Sequence, residues 1–565
     1  MMNKEQSASA LLSHAMGLSA FVLIAVGYQL TFSYHYDDAL TAARELDGQF
    51  VQGPLSLVEF RHFVNHLWPF WTLQFLRGLD LHVSGIQLIH FMDLATATVA
   101  ITLLYLLLQD LVQSHFIAFA GAFTYSTAHS VWLYAATGRL YSTSMLFAIS
   151  AYYLAVQIRR PLSQRMRTTI AITSAAMVCF ACYFWLVHIF NALGVGILFL
   201  LLPAEESWLP RIKRTLVFGV TGILLTMVIG ASSLAYAGIP LTRQGVQAWI
   251  AASGTQPMKF GLHGLMAAAY GQADGILATP HLLYVVRGWM LKDRAMEGIA
   301  SFPWQFAKFI LVWLLLALAY IYPWILFRRA PTVQRILIFS FYVPIAVNMF
   351  FGLGWLGTDV QRFLPALISE VCLAAMSFRD WISRVSRPRT LAVCVAGATI
   401  FIAAVNLFEE ELPDQRRYIA LEAQTEAVRP YVRPTDLLIT FGRDFDNPYS
   451  TTVMYYTGAS YLTLTNDTLY YDWDSPAWKS VVESIWRKTI GQGGRMFVVD
   501  RLATGRYPPQ AAWSEYRHPS PRVKEFAHFL QTNYCLSPAF YLGTTQYFDV
   551  QSRRPICHPM KSVPD

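Results

Sequence analysis

Asp37 and Asp38 stand side by side in the run Tyr34-His35-Tyr36-Asp37-Asp38-Ala39-Leu40, a few residues beyond the first long apolar segment. A carboxylate pair at a membrane face can remove a proton from an acceptor or hold a cation; acidic residues also mark where a helix leaves the bilayer. Two arginines offer complementary chemistry. Arg139 lies in the short break Thr137-Gly138-Arg139-Leu140-Tyr141-Ser142, and Arg362 in Gly357-Thr358-Asp359-Val360-Gln361-Arg362-Phe363-Leu364-Pro365. A guanidinium presents a planar fork of donors matched to phosphate oxygens and can neutralise charge on a departing phosphate, while snorkelling to the interface is its commoner, structural fate. His62 and His66, one helical turn apart, could hold a divalent ion together with an aspartate, or act as packing and hydrogen-bonding residues. His90, Asp93 and Glu370 interrupt apolar runs. Charge is costly in lipid, so these three should face the protein interior, either as cavity walls with Tyr141, His62 and His66 or as partners between helices.

Such residues need a membrane scaffold, and the composition provides it. The chain has 565 residues, 55% hydrophobic and 14% charged, whereas a soluble domain carries about 25% charge. Apolar runs near spanning length occur at 11–33, 86–108, 115–135, 140–157, 168–187, 189–203, 215–237, 304–327, 334–354, 361–378 and 390–408, which makes about eleven helices. The fold class expected is therefore a polytopic α-helical membrane protein with a small α/β domain at its C-terminal end. Residues 1–408 form the membrane part and 409–565 the soluble part. The first segment has no small-residue cleavage site in the expected place and reads as a retained helix.

The net charge of +8 is a matter of topology, not of nucleic-acid binding. Arg159, Arg160, Arg165 and Arg167, then Arg211, Lys213 and Arg214, then Arg328, Arg329 and Arg335, then Arg379, Arg384, Arg387 and Arg389 all fall on one side of the helix count. The excess of basic residues in cytoplasmic loops puts that side, with the N-terminus, in the cytoplasm. Asp37, Asp38, Arg139, Arg362, the loops 34–85 and 238–303, and the tail then face outward. The arginine asymmetry fits a bacterial inner membrane, with the tail periplasmic. Both loops contain amphipathic stretches, Leu55 to Leu79 and Met258 to Tyr270, suited to lying along the membrane surface and roofing a cavity.

In the tail, Leu437 to Thr440, Tyr461 to Leu464 and Met496 to Asp500 read as short buried strands, and Trp478 to Ile490 as a helix. No glycine-rich phosphate loop is present, so nothing points to a nucleotide. Cys179, Cys182, Cys372 and Cys394 sit in apolar helices as packing residues. Cys535 and Cys557 are the two cysteines of the outward tail, where a disulfide can form.

Taken in order, the acidic pair after the first helix, the surface-helical first loop, the Gly138-Arg139-Leu140-Tyr141 turn followed by Ala151-Tyr152-Tyr153-Leu154, and the Arg362-Phe363-Leu364-Pro365 helix entrance resemble the GT-C class of integral membrane glycosyltransferases. The likeness is to the branch of protein O-mannosyltransferases and lipid A aminoarabinose transferases, and it covers about residues 1–408. It implies inverting transfer of a sugar from a polyprenyl-phosphate donor to a lipid, polysaccharide or protein acceptor on the outer face. Asp37 or Asp38 would be the general base, and Arg362, with Arg139, would hold the donor phosphate. Such chemistry requires no cofactor, and a divalent metal is compatible with it. The chain departs from the pattern at three places: Asp37-Asp38 where many relatives have Asp-Glu, His66-Leu67-Trp68-Pro69 for a His-Pro-Pro-like element, and His90-Phe91-Met92 at the start of the second helix. A lipid or glycan transporter, and a membrane-anchored assembly protein, are the readings from other classes. The first expects repeats of which the sequence has no trace, and about eleven helices are excessive for an anchor.

Overall fold

The computed structural model describes residues 22, 24–32, 37–47, 58, 66–252, 260–279, 302–354, 360–440, 447–463, 478–505, 521–542 and 545–552. Two compact units result: one of residues 1–32, 45–283 and 300–413, the other of 33–44, 284–299 and 414–565.

The first unit is a bundle of apolar helices. Among the described residues, seven are long and apolar enough to cross a membrane: Gly85–Val112, Gln164–Phe184, Trp208–Tyr236, Pro303–Arg329, Thr332–Gly354, Val360–Ile382 and Pro388–Val428. Their starts follow from local chemistry. Ser84 and Gln87 form a reciprocal capping box before Gly85, and Ser163 accepts from the Met166 amide, satisfying donors that the first helical turn leaves open. Pro365 and Pro388 sit in first turns, where a missing N–H costs nothing. Leu216, Val220, Ile223, Leu224, Met227 and Val228 are all exposed on one helix, a surface that lipid tolerates and water does not.

Two of the basic clusters meet. Glu206 pairs with both Arg167 at 3.2 Å and Arg214 at 2.8 Å, and Asp110 with Arg159 at 2.8 Å and Arg160 at 2.9 Å. Two basic loops therefore share one acidic partner at one end of the bundle.

The run expected to form one spanning helix over 115–135 is instead two helices, His115–Thr127 and His129–Ala136, broken where Ala128 turns extended. The break is stable because the freed Thr127 carbonyl accepts from Asn406 Nδ2 at 2.7 Å. The expected 390–408 helix also differs: it is α-helical over Pro388–Asn406, continues as a π-helical turn Leu407–Glu411, and runs on as Leu412–Val428.

In the second unit, strands β1 (Leu437–Thr440), β2 (Ser460–Thr463), β3 (Met496–Val499), β4 (Tyr534–Leu542) and β5 (Thr545–Ser552) form one sheet in the order β2-β1-β3-β5-β4. The first three are parallel, with Leu438 opposite Tyr461 and Phe497; β5 runs antiparallel to β3, and β4 antiparallel to β5. Leu438, Ile439, Phe497, Val498, Phe526, Leu530 and Tyr547 build its core. Gly494 is required just before β3, since a Cβ there would lie 1.9 Å from the Thr435 carbonyl oxygen. The buried Asp436 ties β1 to that approach by accepting from the Arg495 amide and Nη2, each at 2.8 Å. The expected strands and the helix Trp478–Gly491 are present. β4 went unread because Pro538 breaks its pattern; at the sheet edge that proline is tolerated, with a bulge between Pro538 and Phe540.

Cys535 is disulfide-bonded, and its expected partner Cys557 lies outside the described residues. Mass analysis of unreduced protein should show Cys535 linked to Cys557, with Cys179, Cys182, Cys372 and Cys394 free. A closed loop of about twenty residues stabilises a small domain by roughly 3 kcal/mol. Two free tail thiols in protein from an oxidising compartment would disprove the pairing.

Candidate functional site

Arg362 is buried in a 3-10 turn, Val360–Phe363, that leads directly into the Leu364–Ile382 helix. Its carbonyl accepts from Asn348 Nδ2 at 2.9 Å, so a neighbouring helix holds the turn by its backbone. Gly352, one turn beyond Asn348, is glycine for a packing reason: a Cβ there would press on the Phe363 ring at 3.1 Å. The Leu262–Ile276 helix, within the loop 238–303, lies against the same turn, with Gly275 facing the Val360 carbonyl and Ala268 beside Gly352.

Arg139 occupies the second turn. Gly138 and Leu140 both take the left-handed conformation, φ +73° and +57°. For a leucine this is unusual and must be imposed by the surroundings. Asp93, wholly buried, imposes it: its carboxyl oxygens accept from the Leu140 amide at 3.1 Å and from the Ser142 hydroxyl. Acting from another helix, Asp93 does what an N-cap residue does for the Tyr141–Val156 helix. Above it, Arg139 lies over the Tyr134 ring at 5.8 Å, and Tyr141 packs edge-on between Tyr134 and Trp185.

A second chain of bonds reaches this turn from below. Asn191 Nδ2 lies 3.0 Å from His188 Nδ1, and because an amide nitrogen only donates, His188 must carry its proton on Nε2. That proton points to Ser144 Oγ at 3.0 Å, and the Ser144 hydroxyl donates to the Tyr141 carbonyl at 2.6 Å. The direction matters. A serine nucleophile would give its proton to the histidine, so this buried Ser-His-Asn set is a brace for Tyr141 and not a hydrolytic triad. Sequence reasoning missed all three, since they lie 44 residues apart in the Ser144–His188 link and match no motif.

Both intramembrane carboxyls bond across to other helices. Glu370 accepts from Tyr320 at 2.8 Å and from Gln272, which itself donates to Tyr320 at 2.7 Å. Like Asp93, it is a buried hydrogen-bonding partner between helices. His90 stacks on Phe32 with ring centroids 3.3 Å apart. Replacing Asp93 by alanine orphans two buried donors, each worth about 1–3 kcal/mol. The thermal unfolding midpoint in detergent should drop accordingly, and an unchanged midpoint would show that the left-handed Leu140 does not depend on it.

Asp37 and Asp38 are the first two residues of the Asp37–Leu46 helix. The far end of that helix is held by Glu45, 3.1 Å from His66 Nδ1, and by Asp47 just beyond it, which accepts from Arg77 at 2.5 Å and from the Gly85 amide at 2.9 Å. His66 and Arg77 bracket the Leu67–Gly78 helix, which buries Pro69 and Leu73 and exposes Trp68, Trp71 and Phe75. The helix falls within the Leu55 to Leu79 stretch read as amphipathic in the sequence and is described over a shorter length. His62, the other half of the candidate metal pair, lies outside the described residues. His66 is engaged by Glu45, and among the described residues no three metal-ligating side chains come together.

No protein-family model matches the chain, and no curated protein matches it either. Solved structures do. The crystal structure of ArnT from Cupriavidus metallidurans bound to undecaprenyl phosphate superposes over 96% of this chain and 98% of its own, with a TM-score of 0.54 at 13% identity. The same protein in the apo state gives the same coverage and TM-score at 11% identity. An oligosaccharyltransferase from Archaeoglobus fulgidus, in complex with Zn and sulfate, aligns over 93% of this chain and 72% of its own at a TM-score of 0.45 and 12% identity, and adds nothing to the fold assignment. The chain thus has, over 96% of its length, the fold of the ArnT structures, a bundle of apolar helices with a small α/β unit.

Proposed function

We propose that the protein is an integral membrane glycosyltransferase that moves a sugar from a polyprenyl-phosphate donor to an acceptor at the outer face of a bacterial inner membrane. The observation that carries this reading is the end-to-end fold likeness to ArnT, whose structure binds undecaprenyl phosphate. The two arginines support it. Both lie in backbone turns held by buried hydrogen bonds, Arg362 through Asn348 and Arg139 through Asp93. Turns so fixed suit the placing of a guanidinium against a phosphate.

In this reading Arg362, with Arg139, meets the donor phosphate and the charge that grows on it as the glycosidic C–O bond breaks. Asp37 or Asp38 takes the proton from the acceptor hydroxyl, which attacks the anomeric carbon from the opposite face and inverts it. Phosphate leaves as the polyprenyl phosphate anion. Tyr141, braced on both sides, would line the approach. The sugar is a hexose or a pentose, and the acceptor a lipid, a polysaccharide or a protein.

The test is transfer by purified protein in nanodiscs supplied with a set of polyprenyl-phosphate-linked sugars and candidate acceptors. Product of inverted anomeric configuration is expected from at least one donor. Absence of transfer from every donor, with intact folded protein, would remove the assignment and favour transport or assembly.

A further inference from the structure

Three helix ends converge on one buried side chain. Asn406 is the last residue of the Pro388–Asn406 helix and is wholly buried. Its Nδ2 donates to the Thr127 carbonyl at 2.7 Å, at the break after His115–Thr127, and to the Ile276 carbonyl at 2.9 Å, at the end of Leu262–Ile276. Its Oδ1 accepts from the Ala278 amide at 2.8 Å. Both carbonyls are groups that helix ends leave open, and the Ala278 amide lies just past the end of Leu262–Ile276.

The same bend is held from two further directions. Ser130 donates to the Gly275 carbonyl at 2.8 Å, and Lys308 Nζ, buried within the bundle, donates to the Ala278 carbonyl at 2.5 Å. Lys308 also pairs with Glu409 at 2.6 Å, and Glu409 is presented by the π-helical turn that begins just after Asn406. A buried ammonium is costly, and Lys308 satisfies it with one carboxylate and the Ala278 carbonyl, two residues past the end of Leu262–Ile276. The Leu262–Ile276 helix so anchored is the one whose Gly275 faces the Val360 carbonyl of the Arg362 turn and whose Ala268 lies beside Gly352, while its Gln272 bonds Glu370 two turns into the helix that follows Arg362.

We infer that Asn406 and Lys308 are positioning residues that set Arg362 by clamping the end of the Leu262–Ile276 helix, the strut behind its turn. For substrate the inference rests on the phosphate-binding reading of Arg362. Its structural half stands without it.

Hydrogen exchange on the full chain in nanodiscs tests that half. In Asn406→Leu, amides of 276–279 should exchange at least about tenfold faster, as loss of a buried hydrogen bond implies, and those of 360–366 should accelerate with them. Faster exchange at 276–279 with none at 360–366, or no change at either, overturns the inference. Lys308→Met and Lys308→Met/Glu409→Gln give the second readout, and the charge-neutral double variant guards against misfolding from an orphaned carboxylate. If Lys308 acts by holding the Ala278 carbonyl, both variants should bind undecaprenyl phosphate about tenfold more weakly. Restoration in the double variant would show that Lys308 merely neutralises Glu409, and would overturn its role. Wild-type protein that fails to bind undecaprenyl phosphate would remove the functional reading alone, leaving the exchange result to decide the clamp.

Discussion

Asn in place of Asp37 or of Asp38 is expected to stop sugar transfer while leaving the protein folded and in the membrane. An amide has nearly the volume of a carboxyl group but cannot take the acceptor's proton, and a positioned general base contributes about 10²–10⁴-fold in rate. The loss should appear in kcat with the donor KM little changed, because the base acts on the acceptor in the transition state and not on the bound donor. Both residues open one short helix, so adjacent single variants also report which of the two faces the acceptor. Full activity in both would remove the base assignment, and equal partial losses would point to a pair that shares the proton.

Arg362→Lys should be nearly as damaging as Arg362→Ala. The ammonium keeps the charge but supplies a point where the guanidinium supplies a fork, and a two-pronged contact with phosphate is lost. Electrostatic groups of this kind are worth about 3–4 kcal/mol of transition-state stabilisation, or two to three orders of magnitude in rate. Arg362 is buried and its turn is fixed by Asn348, so the lysine cannot recover the contact by sliding the backbone. The measurement is donor binding and kcat/KM side by side. Donor affinity unchanged in Arg362→Ala would reduce the residue to a structural anchor. Arg139→Ala should cost less, since that side chain is half-buried over the Tyr134 ring.

Much of this protein could be read directly from its residues, and for a plain reason. Whether a run of about twenty residues can cross a bilayer is decided by its own apolarity, because lipid asks only that the segment satisfy its backbone internally. The spans from Gly85–Val112 to Pro388–Asn406 and the short strands Leu437–Thr440 and Met496–Val499 are properties of neighbours in sequence. The positions of Arg139 and Arg362 at helix entrances are equally local.

Tertiary structure alone decided what those helices hold. That 115–135 would break at Ala128 depends on an asparagine 279 residues away, which takes the carbonyl the break exposes. That Asp93 and Glu370 would bond between helices depends on Ser142 and on Gln272, the latter 98 residues from Glu370. Likewise His188 could be read as a donor to Ser144 only once Asn191 was seen to occupy its other nitrogen. Hydropathy is a sum over a segment and survives in one dimension. Hydrogen bonds between buried polar groups are set by direction and distance across the bundle, and a chain shows them only when it is folded.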